Sequence, residues 1–306
     1  MASMRDIKRR KESIQSTQQI TKAMKLVSTV KLQRAKSRAE SSRPYFVKMM
    51  ETVRSVLSKT DGSNHPYLQA GDSDKKAVIV VTANRGLAGG YNNNVVKLIL
   101  DSGWRKEDVD IYGVGKKGIE VLSRRGYRIK ADESDMINEP LFSDAAAMGK
   151  MVLDAYSAGE VGEIWLAYTR FKNTVVHVPE LIRLLPVEPL PDGQMEDIPD
   201  GVSGQTGGSQ GPDSPEGNRK EAPMNYEPEA EEALSMIIPK YINSTIFGAF
   251  IEAVASENGA RMQAMDSATS NAEDMIASLS LAYNRARQGA ITQELTEIIS
   301  GAEALN

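Results

Sequence analysis

Residues 265–289 read MDSATSNAEDMIASLSLAYNRARQG, and their spacing decides the architecture. Met265, Ala268, Ala272, Met275, Leu279, Ala282, Ala286 and Gly289 recur at intervals of 3-4-3-4-3-4-3. This is the 3.5-residue period that winds α-helices into a left-handed coiled coil. Five of the eight positions are Ala or Gly, so a partner helix can come close while each turn buries little apolar area. The helical pattern runs from about Pro239 to Ala304, roughly 100 Å at about 1.5 Å per residue. After Gly289 the apolar set moves to Ile291, Leu295, Ile298 and Ala302, so the last turns present a different face.

The partner is sought at the other end of the chain. From Ser3 to Ser58 there is no glycine and one proline, Pro44, in a segment rich in Lys, Arg, Gln, Ala and Met. The reading is one helix of roughly 80 Å, capped by Ser3 with Asp6, stopped at Asp61-Gly62 and bent at Pro44. Its seam reads poorly: Ile7 and Ile14 are a heptad apart, then Ile20, Met24, Val27 and Val30 drift around the cylinder. The economical solution pairs the two terminal helices antiparallel, with the middle of the chain closing the hairpin as a foot on a rod.

That middle, about 75–187, alternates strand-like and helix-like runs. Ala77–Ala83, Val109–Val114, Glu163–Tyr168 and Val175–Val178 read as strands. Tyr91–Asp101, Lys116–Arg125 and Asp144–Ala158 read as helices, which together predicts an α/β layer with a largely parallel sheet. Residues 186–228 hold eight of the thirteen prolines and seven glycines, a composition that cannot pack a core. The domains are therefore read as 1–60, 75–187, an acidic Pro/Gly-rich loop at 188–228, and 229–306.

The net charge of -4 conceals a polarity. Residues 1–60 carry fifteen Lys/Arg against four Asp/Glu, whereas 188–232 carry two basic and twelve acidic residues. Lys8, Arg9, Arg10, Lys11, Lys22, Lys25, Lys31 and Arg34 form a basic surface that would attract acidic loops of a partner; a solvated helix face explains them equally well. The absence of cysteine excludes disulfides, thiolate metal sites and cysteine nucleophiles. His65 and His177 are too few for a histidine metal site. Apolar runs such as Ala77–Val81 fall short of the roughly 18 residues of a membrane span, which reads as an intracellular soluble chain or one held at a membrane by partners.

Four stretches carry a family resemblance. They are Arg5-Asp-Ile-Lys8 with Ile20-Thr-Lys-Ala-Met-Lys-Leu-Val-Ser28, Asn84-Arg-Gly-Leu-Ala-Gly-Gly-Tyr-Asn92, Ser280-Leu-Ala-Tyr-Asn-Arg-Ala-Arg-Gln288, and the run from Ala286 to Leu305. In this order they resemble the gamma subunit of F-type ATP synthases. The resemblance implies a long antiparallel coiled coil of N- and C-terminal helices plus a Rossmann-like α/β globular domain. It implies a non-catalytic rotor without cofactor, turning inside a ring of alpha and beta subunits and seated with epsilon on the membrane c-ring, at the cytoplasmic face of the cell membrane. It places contacts with the catalytic ring at Met24, Lys25, Arg287, Gln288, Thr292 and Glu294. Met24 is also explained as a plain seam residue.

Three departures from the family pattern stand out. Gly259 and Gly289 replace better helix formers, which implies local flexibility of the shaft. Ala88 stands where the family often has cysteine, and no role attaches to it. The acidic loop, with Asp192, Glu196, Asp197 and Asp200, is long for the family and is read either as a latch against rotation in the hydrolysis direction or as a passive solvated loop.

Two other classes remain open on the residues. An enzyme would have to use the amides around Gly86, Gly89 and Gly90, whose G-x-x-G-G spacing is neither a dinucleotide fingerprint nor a P-loop. A free-standing coiled-coil adaptor would use its basic arm on acidic partners or lipid, and would purify as a stable homodimer.

Overall fold

The computed structural model describes residues 4–59, 65–187 and 230–303. Two long helices bracket the chain: α1, Met4–Lys59, and α5, Ala230–Glu303. Helix α1 continues through Pro44, and Ser3 and Asp61-Gly62, expected as its signals, lie outside the described residues, as does the segment 188–229. Between the helices run β1 (Lys76–Val81), α2 (Tyr91–Asp101), β2 (Val109–Val114), α3 (Lys116–Arg124), β3 (Arg128–Asp132), α4 (Phe142–Ser157), β4 (Glu163–Phe171) and β5 (His177–Leu185). The chain divides into two compact units, Met1–Val30 with Arg261–Asn306, and Lys31–Ala260.

In the larger unit the strands form one sheet in the order β3-β2-β1-β4-β5. The first four are parallel and β5 is antiparallel to β4. The central strands are near-continuous apolar runs because helices cover both faces. On one face Val78, Val80, Val109 and Ile111 pack with Val95, Val96 and Ile99 of α2 and Leu122 of α3. On the other, Ala77, Ile79, Ile164 and Leu166 pack with Met148 and Val152 of α4 and with Leu234, Ile238, Ile242, Ile246 and Phe250 of α5. One window of α5 is as apolar as a membrane span, with mean hydropathy 1.3, and this packed row is part of the reason.

Two details differ from the sequence reading. Strand β3 was not anticipated, because an edge strand reading Arg-Ile-Lys-Ala-Asp alternates exposed and half-buried positions without an apolar run. Strand β5 begins at His177 and not at Val175. Asn173 Oδ1 accepts the amides of Val175 and Val176 at 2.9 and 2.7 Å, which diverts them from the ladder and leaves both valines in an exposed turn.

In the smaller unit residues 4–30 of α1 pair with α5. Three cross-helix contacts set the direction: Gln18 Nε2 donates to Glu273 Oε1 at 3.0 Å, Thr21 and Thr269 hydroxyls meet at 2.8 Å, and Lys25 Nζ lies 2.5 Å from Asp266 Oδ1. Ascending α1 descends α5, so the pair is antiparallel. The inward row of α1 is Ile7, Lys11, Ile14, Gln18, Thr21, Lys25 and Ser28, a regular 3-4 repeat in which most members are polar. The apolar set that drifts to Ile20, Val27 and Val30 does leave this row, since all three are more than half exposed.

The seam of α5 is corrected. After Ala272 it runs through Ile276, Leu279, Tyr283, Ala286 and Ala290, while Met275, Ala282 and Gly289 face outward. A template restricted to apolar residues slips here, because small alanines fit either neighbouring stripe and Ile276 lies beside Met275.

Candidate functional site

The surfaces able to meet a partner follow from which side chains the coil leaves outside. On α1, Ile20, Ala23, Val27 and Val30 form an exposed stripe at 3-4-3 spacing, on the side away from the seam. Met24 lies between that stripe and the seam and is half-buried. Lys25, expected as a partner contact, spans the coil to Asp266, with the two side chains 39% and 62% exposed.

Arg287, Gln288, Thr292 and Glu294 are all exposed on α5. At about 100° per residue they occupy roughly half of the helix circumference, so one surface can reach all four. By the register of the three cross-helix contacts, Met24 stands opposite residues near 267, about 30 Å along the helix from Arg287. The candidate contacts thus form two bands on the coil and not one site. Asp192, Glu196, Asp197 and Asp200 lie outside the described residues.

The same register brings α5 past the start of α1 near residue 287. Residues 291–301 are exposed on every side, and Ile291, Leu295, Ile298 and Ile299 are 44% to 68% exposed. Full burial of such a side chain contributes about 1.5–3 kcal/mol, which these four forgo in the described residues, and exposed apolar groups of this kind mark interaction surfaces.

The crevice that holds nucleotides in many parallel α/β sheets is occupied by the chain itself. Ala83, Ala88 and Tyr91 around the glycine turn pack against Ala260 of α5, and Tyr91 Oη donates to Ala253 O at 3.2 Å. Ala88 thereby acquires a packing role. At the start of α3 the amides of Lys116 and Gly118 donate to Asn84 Oδ1 and Thr82 Oγ1, so those donors are taken. Among the described residues no group of three metal-ligating side chains comes together.

Gly259 has a steric reason. A Cβ there would meet the His177 ring, so the glycine admits close approach of strand and helix, and the flexibility inferred from sequence is replaced by packing. Burial holds the His177 imidazole below its usual pKa, and its ring lies 5.8 Å from that of Phe171. Gly289 has no such neighbour within 4 Å.

Sequence reasoning missed the polar ladder of the coil and a half-buried carboxylate, Glu252, beneath the β4–β5 hairpin. The ladder was detectable as a 3-4 repeat once polar residues were admitted to it. Glu252 carries no local signal, because its partners lie more than seventy residues earlier on β4 and β5.

Comparison with known proteins adds the following. The ATP synthase family profile matches residues 3–305. An ATP synthase gamma chain of Lachnoclostridium phytofermentans is 62% identical over 306 residues, covering 100% of each chain. The sodium-ion-specific ATP synthase gamma chain of Acetobacterium woodii is 40% identical, with 99% of each covered. Among solved structures, a chain of the Tetrahymena thermophila mitochondrial ATP synthase central stalk and c-ring matches at TM-score 0.53 and 26% identity, covering 81% of this chain and 99% of that one. A chain of the Euglena gracilis mitochondrial F1 and c-ring assembly has TM-score 0.63 over 99% of this chain and 94% of its own, and at 20% identity it shows the shared fold.

Proposed function

This chain belongs to the gamma-chain family of ATP synthases, and from that premise we propose how its parts divide the work of a rotor. It is the central-stalk subunit that transmits torque between the membrane c-ring and the ring of alpha and beta subunits, with epsilon as a further partner. It carries no catalytic group of its own; the chemistry belongs to the beta subunits. Its asymmetric coil gives each of three sites a different neighbour at any instant. Rotation then shifts each site among states of different nucleotide affinity. The complex is membrane-associated, and this subunit works at its cytoplasmic face.

The observation that carries this reading is the solitary end of α5, whose aliphatic side chains are exposed all round. Such a tip suits an apolar sleeve that holds it without fixing its rotational angle. The two bands, Met24 with the outer stripe of α1 and, at the base of the tip, Arg287 to Glu294, are where the surrounding ring pushes. A bead fixed to the α/β domain of the chain, assembled with alpha and beta subunits, should turn in steps during ATP hydrolysis. A stable homodimer that does not incorporate would instead favour the adaptor.

Met24→Lys tests the lower band. The added charge would grip an acidic loop of the ring and waste torque, so fewer ions should be pumped per ATP hydrolysed in membrane vesicles. Unchanged pumping efficiency returns Met24 to a packing role. For the acidic segment, deletion of 194–211 should raise ATP hydrolysis by the assembled complex if it acts as a latch; no rise makes it passive.

A further inference from the structure

The coil unit has little of its own to hold it closed. Among the described residues of 4–30 and 261–303, only Thr21, Ser28, Met265 and Ala272 are buried, and Met265 alone is a large apolar residue. Earlier in the same helix α5, Leu234, Ile238, Ile242, Ile246 and Phe250 are wholly buried. Helices draw most of their stability from packing an apolar face, and in the coil that face is nearly absent.

The three cross-helix contacts do not replace it. Gln18 with Glu273 and Lys25 with Asp266 are exposed pairs, whose groups water serves nearly as well when the helices part. The Thr21–Thr269 pair sits deeper but is no stronger as a clasp. Each hydroxyl carries one hydrogen, and each also has a carbonyl of its own helix within reach, Gln18 O at 3.0 Å and Met265 O at 2.8 Å. Two hydrogens therefore make two hydrogen bonds whether the helices are together or apart. Opening strands no donor, so it carries no cost of a broken bond. Meanwhile Ile20, Leu26 and Val27 of α1 and Leu281, Leu295 and Ile298 of α5 are more than half exposed, so much of the apolar area that could stabilise this unit faces outward.

We infer that the coil is a conditional element: in the free chain its two helices part and rejoin readily, and they stay closed only when the ring of alpha and beta subunits surrounds them. The second half of this statement rests on the rotor reading, and the first half concerns the chain alone. Such a shaft passes from loose to stiff on assembly, because only the surrounding ring can bury its outer face.

Hydrogen exchange along α5 tests this, since one helix runs through both units. In the free full-length chain, after correction for intrinsic rates, the Met265–Ile276 amides should exchange about a hundredfold faster than those of Ile246–Phe250. The Thr21–Ser28 amides of α1 should follow the faster group. In the complex with alpha and beta subunits the two stretches of α5 should come within about tenfold of each other. The chain has no cysteine, so Thr21→Cys combined with Thr269→Cys introduces a single possible disulfide, and the crosslinked free chain should lose the fast exchange. Equal protection of the two stretches in the free wild-type chain, which needs no variant, overturns the inference. So does a hundredfold gap that survives in the complex or in the crosslinked chain. Failure to co-purify with alpha and beta subunits overturns the rotor reading and the second half with it, while exchange in the free chain still decides the first.

Discussion

Between Leu234 and Phe250, helix α5 presents Leu, Ile and Phe side chains that are wholly buried, whereas between Met265 and Ala290 it meets α1 through Ala, Thr and half-buried Ile, Leu and Tyr. Each fully buried aliphatic or aromatic residue contributes about 1.5–3 kcal/mol. A hydroxyl pair such as Thr21–Thr269 contributes about 0.5–1.5 kcal/mol, and an exposed ion pair less. The α/β unit is therefore stabilised by its own core. The coil leaves several large aliphatic residues, Ile20, Val27, Val30 and those of the tip, outside its seam. A rigid seat and a shaft completed by its surroundings are what the two seams teach.

The comparison breaks most readily at Phe250. Its side chain is 0% exposed in the cluster that α5 forms with α4 and the sheet, so Phe250→Ala should cost about 3–5 kcal/mol in urea unfolding of the full chain. A loss under about 1 kcal/mol would mean that this stretch of α5 is not seated on the sheet as described. The two glycines sharpen it next. Gly259→Ala drives a methyl into the His177 ring and should destabilise by about 1–3 kcal/mol. Gly289→Ala meets nothing within 4 Å and should stabilise the helix by up to about 1 kcal/mol. The same substitution in one helix then has opposite signs in the two units. Equal signs in thermal unfolding would erase the distinction.

The sheet was legible in sequence because β1, β2 and β4 are apolar runs and α2 and α3 are short periodic segments between them. The turn Gly86–Gly90 and the start of β2 were placed by the same signals. What escaped had physical reasons. Strand β3 is an edge with charged alternate residues, β5 is displaced by the Asn173 turn, and the coil's inner row is polar where a search for apolar residues looks past it. The candidate contacts were placed by family resemblance, and the structure separates them into two bands. The reason for Gly259 was invisible, since helix propensity says nothing about a histidine eighty residues away.

The smallest effect bears most directly on the coil. Lys25 and Asp266 are close but exposed, so water competes for both charges, and immobilising a lysine offsets most of the attraction. A double-mutant cycle of Lys25→Ala and Asp266→Ala should give a coupling of about 0.2–1 kcal/mol, read from thermal unfolding by circular dichroism. Raising salt from 0.1 to 1 M, where the screening length falls from about 10 to about 3 Å, should shrink it further. A coupling above about 2 kcal/mol that ignores salt would mean that water is excluded from this part of the seam. The coil would then be a tightly closed element like the seat, and the exposed stripe beside it would lose its explanation as the surface on which the shaft depends.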